Sequence, residues 1–217
     1  MFNHFHPFKP YINQDTKRLI IGTLPPPRFC TKEYKKEDVL FPYGSADSLL
    51  WRCLDEIFDL GLLYNQSILA IDQRKDFLQK HQIGICDIVD SCKREKVDAS
   101  DIGMSEVVLR DILAYLSEYK NIDIIIFTGG YCKNSPEYFF RRVLKKEKID
   151  FENISNEIPK AHSFEFENRM IKTISLTSPS NAANRSIGAN KYYKKRKAED
   201  KSYTTFDFRV EQYKKVF

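Results

Sequence analysis

The chain has 217 residues, of which 42% are hydrophobic and 13% aromatic, and a net charge of +5. That length suits one α/β domain; the apolar runs fall far short of a membrane span, and the opening MFNHFHPFKP lacks the basic start and apolar core of a secretory signal, so a cytoplasmic location is expected. The five cysteines, Cys30, Cys53, Cys86, Cys92 and Cys132, are scattered, without C-x-x-C spacing or accompanying histidines, which argues against a disulfide framework, a zinc site and an iron–sulfur cluster.

Lys17 to Thr23, KRLIIGT, is a short apolar run flanked by charge and ended by glycine, which reads as a buried strand. Pro25-Pro26-Pro27 must then leave the sheet as a stiff extended loop, because proline lacks an N–H and disfavours helix before it. Next comes FPYGSADSLLW, 41–51, a loop leading into a helix over 48–60 with Leu50, Leu54, Ile57 and Phe58 on one face. Asp47 or Ser48 is placed to cap that helix.

IGICDIVD, 83–90, reads as a strand or a strand and turn. The spacing of Val108, Ile112, Leu113 and Leu116 predicts a helix over 105–119. IDIIIFTGG, 122–130, is apolar on both faces, as a fully buried strand requires. A helix over 135–147 follows, capped by Ser135 with Pro136 at its first position. SFEFENRMIKTISLTSPS, 163–180, predicts a hairpin turning at Glu167-Asn168 and ending in a Ser/Pro loop, and 206–217 a final helix. Strands alternating with helices predict an α/β fold with a mainly parallel sheet covered on both faces.

The whole charge excess lies in the C-terminal segment, since 189–217 carries 9 Lys/Arg against 4 Asp/Glu. Its centre, KYYKKRKAEDKSY, 191–203, suits a phosphate-rich partner, with a solvated loop or helix face the competing reading from charge alone. The segment 186–203 is expected to be mobile without such a partner.

In open α/β sheets ligands bind outside the carboxyl ends of the strands. Three such ends carry small residues that let a ligand approach the backbone: Gly22-Thr23-Leu24-Pro25, Thr128-Gly129-Gly130 and Thr177-Ser178-Pro179-Ser180-Asn181. No G-x-x-x-x-G-K-[ST], G-x-G-x-x-G or G-x-S-x-G occurs. His4 and His6 fall in the N-terminal arm, His81 and His162 precede strands, and His162 reads as a surface residue, so no Ser-His-Asp triad assembles.

Taken in order, LIIGTLPPP (19–27), YGSADSLLW (43–51), GICDIVDSCKREKVDASDI (84–102), IIIFTGGYCKNSPEYFFRR (124–142) and LTSPSNAAN (176–184) resemble the uracil-DNA glycosylase superfamily. Within it they are most similar to the hypoxanthine (deoxyinosine) DNA glycosylase branch. The resemblance implies a single domain over 1–217 with a three-layer α/β/α fold. It implies a monomeric, monofunctional DNA glycosylase of base-excision repair, acting on DNA that contains a damaged base. Such an enzyme flips out a deaminated base (uracil, hypoxanthine or xanthine) and hydrolyses its N-glycosidic bond with no metal or organic cofactor.

The implied base-binding residues are Gly22, Thr23, Leu24, Tyr43, Asp87 and Thr128. Tyr43 would stack on the extruded base, and the Gly22 and Thr23 N–H groups would receive the leaving base. Ser178, Pro179, Ser180, Asn181, Arg185, Lys194, Lys195, Arg196 and Lys197 are the implied DNA contacts. The chain departs from the family pattern at the chemistry. Leu24 stands where much of the superfamily has Asp or Asn, and Ser48 where the hypoxanthine branch has Asn. Asp47 and Ser48 become the catalytic candidates, with Asp47 as a plain helix cap the competing view. The alternative function is a glycosylase-like domain that binds nucleic acid without cleaving it; a small-molecule nucleoside hydrolase on the same scaffold is a more distant one.

Overall fold

The computed structural model describes residues 1–98, 100–130 and 132–217; Ala99 and Tyr131, inside two of the segments quoted above, lie outside the described residues. In chain order the elements are β1 (Phe2–Phe5), β2 (Arg18–Gly22), α1 (Arg28–Thr31), α2 (Leu50–Phe58), α3 (Ile68–Lys80), β3 (Ile83–Asp87), β4 (Val89–Arg94), β5 (Met104–Leu109) and α4 (Ile112–Glu118). There follow β6 (Ile124–Phe127), α5 (Pro136–Lys146), β7 (Glu152–Ser155), β8 (Lys160–Phe166), β9 (Arg169–Ser175), α6 (Asn184–Ala189), α7 (Lys191–Glu199) and α8 (Thr205–Lys214). No helix among the described residues is long and apolar enough to cross a membrane.

Six strands form the central sheet in the order β3-β2-β6-β9-β8-β7. The first four are parallel and in register, with Ile20 opposite both Ile85 and Ile126. The β8–β9 hairpin turns at Glu167-Asn168, where both residues have positive φ (49° and 60°), the backbone that a tight two-residue turn demands. Strand alternation sends successive residues to opposite cores. Leu19, Ile21, Ile125 and Phe127 pack with α4 and α5, through Ile112, Leu116, Phe139 and Phe140. Ile20 and Ile126 pack with α2, α3 and α8, through Leu50, Trp51, Leu54, Phe77 and Tyr213. The architecture is therefore the expected α/β/α sandwich.

The expected helix over 105–119 is two elements. Residues 104–109 pair antiparallel with β4, Met104 opposite Arg94 and Leu109 opposite Val89. Val107 and Leu109 face the core while Val108 is exposed, a period of two that β-branched residues favour. Helix starts only after Asp111, whose carboxylate accepts the Ala114 N–H at 2.9 Å. β1, β4 and β5 make a second, three-stranded antiparallel sheet, with His4 opposite Cys92 and Phe5 opposite Ser91.

Asp47 does not cap α2, whose first flanking residue is Leu49; the Ser48 hydroxyl accepts the N–H of Leu50, the first helical residue, at 3.5 Å. Asp47 is drawn away by ion pairs to Lys35 and Arg28 at 2.8 and 2.9 Å. His162 is not a surface residue. It is 4% exposed, stacks on Phe151 with ring centroids 4.6 Å apart, and bonds Arg141.

The basic segment 186–203 forms α6 and α7. Asn190 caps α7 by accepting the Tyr192 and Tyr193 N–H groups. Ile187, Tyr193, Tyr203 and Phe208 form a small apolar cluster under it. Glu211 of α8 gathers the segment's polar groups, accepting from Tyr192, Tyr203 and Arg196 at 3.0, 2.9 and 2.9 Å.

Candidate active site at the carboxyl ends of the parallel strands

The ends of β2, β3 and β6 meet at Gly22, Asp87 and Thr128. Gly22 is needed there for space rather than for backbone freedom. A Cβ at this position would overlap the Tyr43 hydroxyl and Asp87 Oδ1, and would lie 2.6 Å from Tyr43 Cζ. The Tyr43 hydroxyl is hydrogen-bonded to Thr128 Oγ1. Burial, with the Asp87 carboxylate beside it, pushes the Tyr43 phenol well above its ordinary pKa. The structure thus brings Gly22, Tyr43, Asp87 and Thr128 into one cluster, with Tyr43 occupying the space directly above Gly22.

The shape of the 38–48 loop explains why Tyr43 reaches this point. Asp38, fully buried, takes both Arg28 Nε and Nη2 at 2.7 Å and the N–H groups of Lys35 and Ala46 at 2.8 Å. Gly44 bonds back to Val39 and Phe41, and a Cβ there would strike the Phe41 carbonyl at 2.8 Å. Trp51 Nε1 donates to the Pro42 carbonyl at 2.9 Å. These bonds hold Tyr43 in a left-handed backbone conformation, with φ 59°.

Two groups that the sequence does not single out complete the cluster. His6 Nε2 lies 2.6 Å from Asp87 Oδ2. His6 Nδ1 accepts the Phe8 N–H at 3.0 Å, so the ring proton sits on Nε2 and is donated to Asp87. Pairing of β1 with β4, continued by the bond from His6 N–H to the Asp90 carbonyl at 2.7 Å, carries the histidine there. Asp101 is the second group: the Thr23 hydroxyl donates to its Oδ2 at 3.2 Å. Burial pushes the Asp101 carboxyl up to about 6, against the Thr23 hydrogen bond and the Arg94 guanidinium, and the Asp87 charge adds to the rise.

The catalytic candidates Asp47 and Ser48 have other partners. Asp47 is exposed, and the Lys35 ammonium, with Arg28, holds its carboxyl below the usual range. Ser48 pairs with Ser180 in an isolated antiparallel bridge, and the Leu49 N–H donates to the Pro179 carbonyl at 2.9 Å. Leu24 packs against the core and carries no polar group.

The 177–181 loop is gripped from behind by α8. Buried Arg209 donates to the carbonyls of Ser178 and Ser180 at 2.9 and 2.8 Å. Gln212 accepts the Thr177 N–H, and the Tyr213 hydroxyl donates to the Thr177 carbonyl, both at 2.7 Å. Ser180 Oγ in turn accepts the Ala182 N–H.

Of the remaining expected DNA contacts, Asn181, Arg185, Lys194 and Lys195 are exposed. Arg196 and Lys197 are engaged within the protein, with Glu211 and the Lys201 carbonyl respectively. Surface grooves lined by Arg141, Lys145 and Phe151, and by Arg52, Asp55 and Tyr64, share no residue with the strand-end cluster.

No family model matches the chain, and no curated protein matches it. Among solved structures it is similar to the solution NMR structure of "a putative Uracil DNA glycosylase from Methanosarcina acetivorans". The match has 18% identity and a TM-score of 0.54, and spans 97% of this chain and 99% of the other. The two proteins share a fold over essentially their full lengths.

Proposed function

We propose that this chain is a DNA glycosylase that hydrolyses the N-glycosidic bond of a deaminated base extruded from DNA. The observation that carries the reading is the meeting of Gly22, Tyr43, Asp87 and Thr128 at three adjacent parallel strand ends. It is supported by the likeness to the Methanosarcina acetivorans structure and by the ordered motifs of the hypoxanthine branch. In this reading the base enters beside Tyr43, whose ring is the stacking surface, and Thr128 offers it a hydroxyl. The Ser178–Asn181 loop and exposed Arg185, Lys194 and Lys195 hold the backbone on either side. Base-excision repair, a monomeric state and a preference for uracil, hypoxanthine or xanthine belong to the same proposal. Release of free base from oligonucleotides carrying each of these lesions tests it.

A second reading, nucleic-acid binding without cleavage, is favoured by one observation: Tyr43 is bonded to Thr128 and already fills the space above Gly22. It requires salt-sensitive DNA binding together with no base release from any lesion.

A further inference from the structure

The strand-end cluster contains two carboxylates, and they are placed differently. Asp87 is 4% exposed; its Oδ2 is taken by His6 and its Oδ1 lies against Gly22 and Tyr43. Asp101 is only partly buried, and Thr23 is the one hydrogen-bond donor to its side chain among the described residues, through Oδ2. Its Oδ1 has no hydrogen-bond donor among the described residues. Its backbone is fixed from two further elements. Asn134, 6% exposed in the loop after β6, donates to the Asp101 carbonyl at 2.8 Å, and Arg94 of β4, 1% exposed, donates to the Ser100 carbonyl at 2.5 Å. Arg94 is held in turn by neutral His4, whose Nδ1 accepts its Nε–H at 2.8 Å.

We propose that Asp101, aimed by Thr23, is the general base of this site. The role rests on the glycosylase reading above. Asp101 Oδ1 takes a proton from water, and the water oxygen bonds to C1′ of the extruded nucleotide. The C1′–N bond breaks, and its electron pair leaves with the base. The proton then passes from Asp101, directly or through solvent, to the departing base anion, so atoms and charge balance. Asp87, its charge oriented by His6, faces the same space and steadies the positive charge that develops on the sugar.

The charged and titratable groups facing Asp101 are Arg94 and Cys92 from β4 and Asp87 from the end of β3, with His6 behind Asp87 and His4 behind Arg94. With a carboxyl poised near pH 6, the rate of base release rises as pH passes through that value.

The test is single-turnover base release by the full chain from a lesion-bearing duplex, between about pH 5 and pH 9, beside DNA affinity. The rate constant of Asp101→Asn falls by about 10²–10⁴-fold, while its DNA Kd stays within about threefold of wild type. Asp101→Glu recovers part of the loss. Thr23→Val moves the acidic limb of the profile to higher pH, because the Thr23 bond favours the ionised carboxylate. An Asp101→Asn rate within about threefold of wild type overturns the assignment while leaving the glycosylase reading in place. So does an unshifted Thr23→Val profile, which decides the matter even if Asp101→Asn fails to fold. Absence of base release by the wild type overturns the reading itself, and this role with it.

Discussion

Ser48 and Ser180 pair backbone to backbone, joining the loop that presents Tyr43 to the loop that α8 grips. The two loops are far apart in sequence, yet each is fixed by buried polar side chains behind it, Asp38 in one case and Arg209 in the other. The junction makes the candidate site one mechanical unit.

Removing Arg209 therefore loosens both loops. Arg209→Met keeps the apolar stem but leaves the Ser178 and Ser180 carbonyls without their donor. Denaturant melts are expected to show destabilisation by about 2–4 kcal/mol. Amide exchange is expected to quicken at Leu49 as well as along 177–181. Quickening confined to 177–181 contradicts the coupling.

Gly22→Ala places a methyl group where the Tyr43 hydroxyl and Asp87 Oδ1 now sit. Overpacking of this kind costs about 1–3 kcal/mol. Tyr43→Phe removes the nearest of the clashing atoms, so the double variant is less destabilised than the sum of the singles. Additivity in the thermal melts contradicts the packing described.

Asp101 also leaves a signature in stability. Its carboxyl is raised from 3.8 to about 6, so the folded state binds this proton more readily than the unfolded chain. The contribution is stabilising below the unfolded value, declines as pH rises from about 4 to 6, and is absent above that. A gap of about two units corresponds to about 2–3 kcal/mol of stability lost between about pH 4 and neutral pH. Asp101→Asn is expected to be more stable than wild type at neutral pH, and to lose that advantage at about pH 4. A neutral-pH melt in which Asp101→Asn is the weaker protein contradicts this electrostatic account.

Charge on α7 divides into two kinds. Neutralising exposed Lys194 and Lys195 is expected to weaken DNA binding and to flatten its salt dependence, by roughly 0.9 in log–log slope for each phosphate that a lysine no longer neutralises. Arg196→Ala instead releases Glu211 and frees α7 from α8, read as faster proteolytic cleavage across 190–204. Identical effects of the two changes on the salt slope contradict this division.

Much of this is legible in the sequence because local pattern and tertiary role agree. The runs at 17–23 and 122–130 are strands buried on both faces, and Ser135-Pro136 and Glu167-Asn168 mark a helix cap and a hairpin turn by local chemistry alone. The stretch 105–119 reads as one helix because Val108, Ile112 and Leu116 keep helical spacing across a strand–helix junction that only pairing with β4 reveals. Gly22, Tyr43, Asp87 and Thr128 stand out through motifs at or beside strand ends. His6 and Asp101 carry no such motif. One arrives by an edge strand and the other by a loop held on Arg94 and Asn134, and neither juxtaposition has a local signature. Asp47 reads as catalytic or capping because nothing in its neighbourhood announces that Lys35 and Arg28 will claim it.

The most direct measurement is release of free base by the wild-type chain from oligonucleotides containing uracil, hypoxanthine or xanthine, in single and double strands. The account predicts release from at least one of them under single-turnover conditions, with Asp47→Asn releasing it as wild type does and Asp101→Asn essentially inactive. DNA binding by the wild type with no free base from any substrate contradicts it.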